Sequence, residues 1–263
     1  MPENTRTALV TLSDRGLRLA RTLARETACD IFAHEQAGSL PGVVPFTRVM
    51  ELTDTLFGEY SRIVFIAPVG VAVRAVGPRL GHKSADPAVV VVDIGGRWAV
   101  SLLSGHEGGA NDLALEVSNI LGCEPVITTS TEACKDIIAG VGCRKGAAPR
   151  DIIQALEHAL SRAGVLMNRI RLMASADIKR NEEGLIEASR ALGIPLYFVP
   201  GESIRNMPFK LSVSKFVQDQ VGLPGVAEPC ALLAGRNTRL ILGKTVCKSV
   251  TIALARENFS WWE

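Results

Sequence analysis

Short runs of consecutive apolar residues alternate along the chain with stretches of helical period, and this alternation predicts an α/β protein. Ala8 to Leu12 reads as a buried strand, and a helix follows from about Asp14 to Glu26 with Leu17, Ala20, Leu23 and Ala24 on one face. A second strand lies near Asp30 to Ala33. A loop marked by Gly38, Pro41, Gly42 and Pro45 then leads to a helix ending near Tyr60, and Arg62 to Ala67 is another buried strand. Beyond Pro68-Val69-Gly70, the residues Val69, Val73, Val76 and Leu80 recur at helical spacing, with Pro78 near the end of that helix. Ala88 to Val92 and Trp98 to Leu103 are strands joined by Asp93-Ile94-Gly95-Gly96-Arg97, whose paired glycines suit a hairpin. Asn111 to Leu121 returns to helical period, and Pro125 to Thr128 closes the first half as a strand.

The run Thr128 to Asp136 is small and polar, which makes it the best boundary. Beyond it come the strand Ile137 to Val141, the loop Gly142 to Gly146, and a helix opened by Pro149 with Ile152, Leu156, Ala159 and Leu160 on its buried stripe. Strand, helix and strand recur at Ile170 to Ala174, Glu182 to Leu192 and Leu196 to Val199. Helical stretches at Ser214 to Val221 and Val226 to Leu233 precede strands at Arg239 to Leu242 and Ser249 to Ala255. The expectation is two α/β domains, 1–135 and 136–263, each a mainly parallel or mixed sheet flanked by helices.

Composition fits that picture without changing it. With 263 residues, 47% hydrophobic and 21% charged, the chain is long enough for two ordinary cores. No apolar stretch approaches the ~20 residues that span a bilayer, and the polar Met1 to Thr7 lacks the features of a secretory or transit leader, so a cytoplasmic location is expected. The six cysteines form no CxxC pair and no cluster has metal-site spacing, so neither a disulfide framework nor a bound metal is expected. A net charge of +2 gives no reason to expect nucleic acid. Up to Lys135 there are 12 basic and 15 acidic residues, and beyond it 17 and 12. A polyanionic ligand facing the second half would suit this imbalance, as would an ordinary solvated surface.

Chemistry concentrates in loops that follow strands. Ser104-Gly105-His106-Glu107-Gly108-Gly109-Ala110-Asn111 leaves a strand and enters a helix, a place where α/β sheets bind ligands. Its glycines permit close backbone approach, and the helix start offers N–H groups to an anion or oxyanion. His106 could move protons there, with Glu107 orienting it. A tight turn with an exposed His106 is the plain alternative. Gly140-Val141-Gly142-Cys143-Arg144-Lys145-Gly146 joins two cations to a row of N–H groups suited to carboxylate or phosphate, although Cys143 reads more simply as a packing residue. Ser175, Lys179 and Glu182 follow the next strand and suit the same edge of the sheet, or else Asn181 and Glu182 simply cap and charge the next helix. Gly70 and Arg74 offer a close backbone and a carboxylate ligand, or only an amphipathic helix surface. Thr128 and Thr129 end a further strand and suit ligand binding or a linker. Neither glycine loop matches GxxxxGK[ST] or GxGxxG, which weakens a nucleotide reading. His34, His82 and His158 read as surface residues.

Taken in order, Pro68 to Arg74, Asp86 to Asp93, the Ser104 to Asn111 loop, Pro125 to Thr129, Gly140 to Gly146, Ser175 to Glu182, Gly222 to Glu228 and Thr251 to Arg256 resemble the cobalt-precorrin-5A hydrolases of anaerobic cobalamin (vitamin B12) biosynthesis, the CbiG family. The resemblance runs from about Arg62 to Arg256. It implies opening of the δ-lactone of cobalt-precorrin-5A by water, giving cobalt-precorrin-5B and acetaldehyde, with cobalt arriving inside the tetrapyrrole substrate and no cofactor of the protein's own. On this reading Ser104, His106 and Glu107 are the catalytic candidates, and the N–H groups of Gly108 and Gly109 form the anion site. Substrate-binding candidates are Gly70, Arg74, Gly105, Gly108, Gly109, Asn111, Thr128, Thr129, Gly140, Gly142, Arg144, Ser175, Lys179 and Glu182. The linker Thr131 to Ile137 leaves no room for a further segment that many members of the family carry, which makes this a short form. A homodimer, or transient contact with neighbouring pathway enzymes, stays open, as does a non-catalytic tetrapyrrole carrier as the rival function.

Overall fold

The structure is a computed structural model, and it describes residues 6–38, 40–82, 85–207 and 225–258. It forms two compact units, Met1–Thr129 and Ser130–Glu263. In each unit helices flank one sheet, so the α/β class expected from the alternating pattern is what is found.

The first unit holds β1 (Thr7–Thr11), α1 (Asp14–Ala24), β2 (Cys29–His34), β3 (Val43–Phe46), α2 (Val49–Glu59), β4 (Arg62–Ile66), α3 (Val69–Val76), β5 (Ala88–Val92), β6 (Trp98–Leu103), α4 (Ala110–Leu121) and β7 (Glu124–Val126). The sheet order is β3-β2-β1-β4-β5-β6-β7, with every neighbouring pair parallel except β5 and β6. Successive strand residues face opposite sides. Leu9, Val64, Ile66, Val90 and Val92 therefore pack with Leu17, Ala20, Leu113 and Val117 of α1 and α4. Ala8, Val10, Phe65, Val89 and Val91 pack with Leu56, Ala72, Ala75 and Val76 of α2 and α3. Strands covered on both faces carry continuous apolar runs, which is why β4 and β5 stand out in the sequence.

Two expectations for this unit are corrected. The Gly38 to Pro45 segment is not all loop, because Val43–Phe46 pairs in parallel with β2 as an edge strand. Pro45 fits there because an edge strand has one side free of the hydrogen-bond ladder. The buried stripe of α3 is Ala72, Ala75 and Val76, whereas Val69, Val73 and Leu80 are 43, 47 and 51% exposed. That helix ends at Val76, and Pro78 falls in a 3-10 turn over Gly77–Arg79.

The β5–β6 hairpin is held by Asp93, whose carboxylate accepts from the backbone N–H groups of Gly95, Arg97 and Trp98 and from Arg97 Nε. Burial opposes its ionisation, but these donors outweigh burial and hold the carboxyl below its usual range. A depressed folded value contributes stability above the unfolded pKa of about 3.9, and that stability is lost as pH falls through the folded value. Asp93→Ala should cost about 1–2 kcal/mol at neutral pH. The gap to the wild type in thermal unfolding should shrink near pH 3; a constant gap would disprove the charge contribution.

The second unit holds α5 (Ser130–Ala133), β8 (Ile137–Cys143), α6 (Pro149–Ala163), β9 (Ile170–Ala176), α7 (Glu183–Leu192), β10 (Leu196–Val199), α8 (Gly201–Arg205), α9 (Ala227–Leu233), β11 (Thr238–Cys247) and β12 (Val250–Glu257). Its sheet order is β10-β9-β8-β12-β11, parallel through β10, β9 and β8, with β12 antiparallel to both of its neighbours. The stripe Ile152, Leu156, Ala159 and Leu160 of α6 is buried with Leu185 and Ala188 of α7 against Ile137, Ala139, Ile252 and Leu254. On the opposite face the small residues Ala227 and Ala231 of α9 meet Ala253 and Ala255. The helical stretch expected at Ser214 to Val221, and Gly222 to Pro224 of the family-like run, lie outside the described residues. Among the described residues no helix is long and apolar enough to cross a membrane.

Strand β8 runs two residues further than the expected Val141, and β9 likewise runs past Ala174. Gly140 and Gly142 are therefore sheet residues, and the loop proper begins at Arg144. Backbone contact explains Gly140, since a Cβ there would lie 1.9 Å from Ala227 O and 2.7 Å from Ala231 N.

Candidate functional site

Because β6 runs antiparallel to β5, it ends beside the residues that open β5: Leu103 pairs with Val89. The Ser104 to Asn111 loop thus sits at the edge where β4 and β5 begin, together with Thr128 and Thr129 after β7. Gly70 and Arg74 follow the end of β4, at the opposite edge. Five strand residues at about 3.3 Å each separate the two edges by roughly 16 Å. The first-half candidates consequently divide into two groups.

The loop is anchored by its least exposed members. Ser104, buried and at φ 58°, donates its hydroxyl to Asp86 O at 3.1 Å. Its carbonyl accepts from Gly108 N at 3.0 Å and Ala110 N at 3.2 Å. A Cβ on Gly108 would lie 2.4 Å from Ser104 Cβ, so the turn closes only around glycine. Asn111 is buried at the start of α4; its Nδ2 donates to Thr129 Oγ1 at 3.1 Å, and its Oδ1 accepts from Ser101 Oγ at 2.9 Å. Asn111 N also donates to Gly105 O at 2.9 Å. Gly109, at φ 85°, forms the N-cap of α4, a left-handed position that favours glycine, and no side chain caps the helix.

These bonds sort the candidates. Ser104, Gly105, Gly108, Asn111 and Thr129 form a hydrogen-bonded base, while His106 and Glu107 stand exposed on the turn above it. The Gly108 N–H, expected to meet an anion, is instead given to Ser104 O. Thr128 is exposed beside this base. At the other edge Arg74 Nη1 donates to Gly70 O at 2.9 Å, one turn back along α3, and its side chain lies on the surface.

In the second unit the strand ends of β8 and β9 carry the remaining candidates. Ser175, fully buried, donates to Val141 O at 2.8 Å and so ties β9 to β8. Arg144 and Lys145 are exposed on the loop between β8 and α6. Lys179 donates to Glu182 Oε2 at 3.1 Å, and Glu182 Oε1 accepts from Gly146 N at 2.6 Å. Both partners are shielded, with side chains 17 and 8% exposed, so the pair is more than a solvated surface contact. Helices α6 and α7 begin at this edge without side-chain caps. Sequence reasoning missed Lys248, whose loop meets Arg144 through the bond from Arg144 N to Ser249 O and whose Nζ donates to Asp151 at 2.7 Å. Its partners lie about a hundred residues away, so no local motif could announce it.

Burial pushes the Cys143 thiol up to about 11, with Lys179 lowering it and Glu182 raising it. At pH 8 roughly one such thiol in a thousand is thiolate, which argues against a nucleophile. Alkylation followed by peptide mass mapping should label exposed Cys134 at pH 8 and leave Cys143 largely unmodified. Equal labelling of the two would refute this assignment. Among the described residues no group of three His, Cys, Asp or Glu side chains is placed to hold a metal ion.

Comparison with known proteins bears on both units. Residues 51–132 match the family description Cobalamin synthesis G N-terminal, and residues 137–255 match Cobalamin synthesis G C-terminus. A cobalt-precorrin-5A hydrolase of Salmonella typhimurium is 40% identical over 126 residues, 48% of this chain and 36% of that protein, so the match spans only about a third of that relative's length. One from Priestia megaterium is 23% identical over 354 residues, 94% of each chain. Protein CobE of a Sinorhizobium species is 33% identical over 128 residues, 48% of this chain and 83% of its own length. Together these matches take in both units, and the chain belongs to the CbiG family of cobalamin biosynthesis proteins, with an N-terminal and a C-terminal CbiG domain.

Proposed function

We propose that this protein is a cytoplasmic cobalt-precorrin-5A hydrolase that opens the δ-lactone of its substrate with water and yields cobalt-precorrin-5B and acetaldehyde. The observation that carries the reading is the Ser104 to Asn111 loop, an exposed imidazole held on a turn whose base is fixed by part-buried hydrogen bonds. Relatives bearing that activity in their names support it. Attack on the lactone carbonyl requires a proton to leave water while negative charge grows on the carbonyl oxygen. Collapse of that adduct breaks the C–O bond, and departure of the two-carbon fragment needs a proton moved near the departing carbon.

His106 is the proton carrier in this scheme, with Glu107 beside it, and the uncapped start of α4 favours the developing oxyanion. Ser104, Gly105, Gly108, Asn111 and Thr129 act by holding the turn, and Thr128 lies within reach of substrate. In the second unit Arg144 and Lys145 meet acetate and propionate groups of the macrocycle. The Priestia alignment is longer than this chain, which supports a short form without the family's middle segment.

Incubating the purified protein with cobalt-precorrin-5A should release acetaldehyde in step with a change in the corrinoid spectrum. Tight spectral binding with no acetaldehyde would replace the hydrolase with a tetrapyrrole carrier.

A further inference from the structure

Glu182 was a substrate-binding candidate, yet its carboxylate faces inward. One oxygen accepts from Gly146 N at 2.6 Å, the other from Lys179 Nζ at 3.1 Å, and the residue is 8% exposed. Its backbone joins the same elements, since Glu182 N donates to Lys179 O at 3.0 Å and Glu182 O accepts from Leu185 N at 3.0 Å in the first turn of α7. A second contact lies alongside: a Cβ on Gly184 would sit 1.9 Å from Ala147 O, so the start of α7 already touches the loop backbone. The loop after β8, the turn after β9 and the start of α7 therefore converge on one carboxylate. Of the loop's residues Arg144 and Lys145 point outward, directly before the Gly146 amide that Glu182 holds.

We infer that Glu182 is a positioning residue, a buried strut that fixes the Arg144-Lys145 pair in the geometry that meets the carboxylates of an anionic substrate. This rests on the hydrolase reading for the identity of the substrate, while the strut itself is a property of the fold. Glu182 touches no substrate; without it the loop moves and the two cations no longer present a set arrangement. Binding should suffer more than chemistry.

Hydrogen exchange on the full chain tests the strut without substrate. Glu182→Ala should speed exchange in residues 144–147 about tenfold and leave β8 residues 137–141 unchanged. Uniform loosening of the unit, or no change, overturns the proposal. Glu182→Gln keeps an acceptor for Gly146 and should give a smaller effect; it also serves if the alanine variant does not fold, and failure of both to fold would make Glu182 a stability residue only. With cobalt-precorrin-5A, Glu182→Ala should raise KM about tenfold with kcat within about twofold. Adding it to Arg144→Ala plus Lys145→Ala should raise KM little further, because it acts through those two. A fall in kcat at constant KM, or multiplying KM effects, refutes positioning. Lack of turnover by the wild-type protein would count against the hydrolase reading alone, since the exchange result stands separately.

Discussion

His106→Ala is expected to slow acetaldehyde release from cobalt-precorrin-5A by about 10²–10⁴-fold, the range usual for loss of a positioned general acid or base. The fold should survive, because the ring is exposed on the turn and exposed substitutions usually stay within about 0.5 kcal/mol. Steady-state kinetics beside a thermal melt separates the two effects. Ser104→Ala provides the contrast. Its hydroxyl is given to Asp86 O, so the change should cost about 1 kcal/mol of stability and reduce turnover much less. A fully active and folded His106→Ala protein would remove the imidazole from the reaction. A collapse of activity in Ser104→Ala without loss of stability would move the chemistry to the hydroxyl.

Gly140→Ala should be the most damaging single methyl in the second unit. The added carbon would lie 1.9 Å from Ala227 O and 2.7 Å from Ala231 N, both backbone atoms of α9, so no side chain can turn aside to make room. Helix α9 must lift from β8 or the strand must bend, and overpacking of this kind costs about 3 kcal/mol. That is a large share of the roughly 5–15 kcal/mol that holds a typical domain folded. Denaturant unfolding should show a clearly lower midpoint, with rapid exchange in residues 227–233. A wild-type midpoint would mean that α9 does not seat on Gly140.

Much of the architecture was legible in the sequence because β4, β5 and β8 are covered on both faces and so carry unbroken apolar runs between amphipathic helices. Strand β3 was not legible. Gly42 and Pro45 read as breakers, and only the edge position of that strand makes its proline acceptable. The stripe of α3 was misassigned because Val69 and Val73 lie on its outer side and Leu80 lies beyond its end, while small Ala72 and Ala75 make the contact together with Val76. The Ser104 loop was visible as a glycine-rich strand exit, but the bonds from Ser104 to Asp86 and from Asn111 to Thr129 each span 18 residues and appear only when strands are paired. The Glu182 bond to Gly146 spans 36, and local spacing suggested a ligand-lining edge or a helix cap.

The turn at Asp93 has a broader result. In a sheet whose strands all run one way, the chain leaves every strand on the same side, and ligands gather there. Sending β6 back reverses that polarity for the last strands, so one small unit displays strand exits on two sides. Changes at Gly70 or Arg74 and changes at His106 are then separated by more than the roughly 7–10 Å within which substitutions couple. Their effects on ligand affinity should add, and each side of the sheet is free to vary in sequence without compensation from the other.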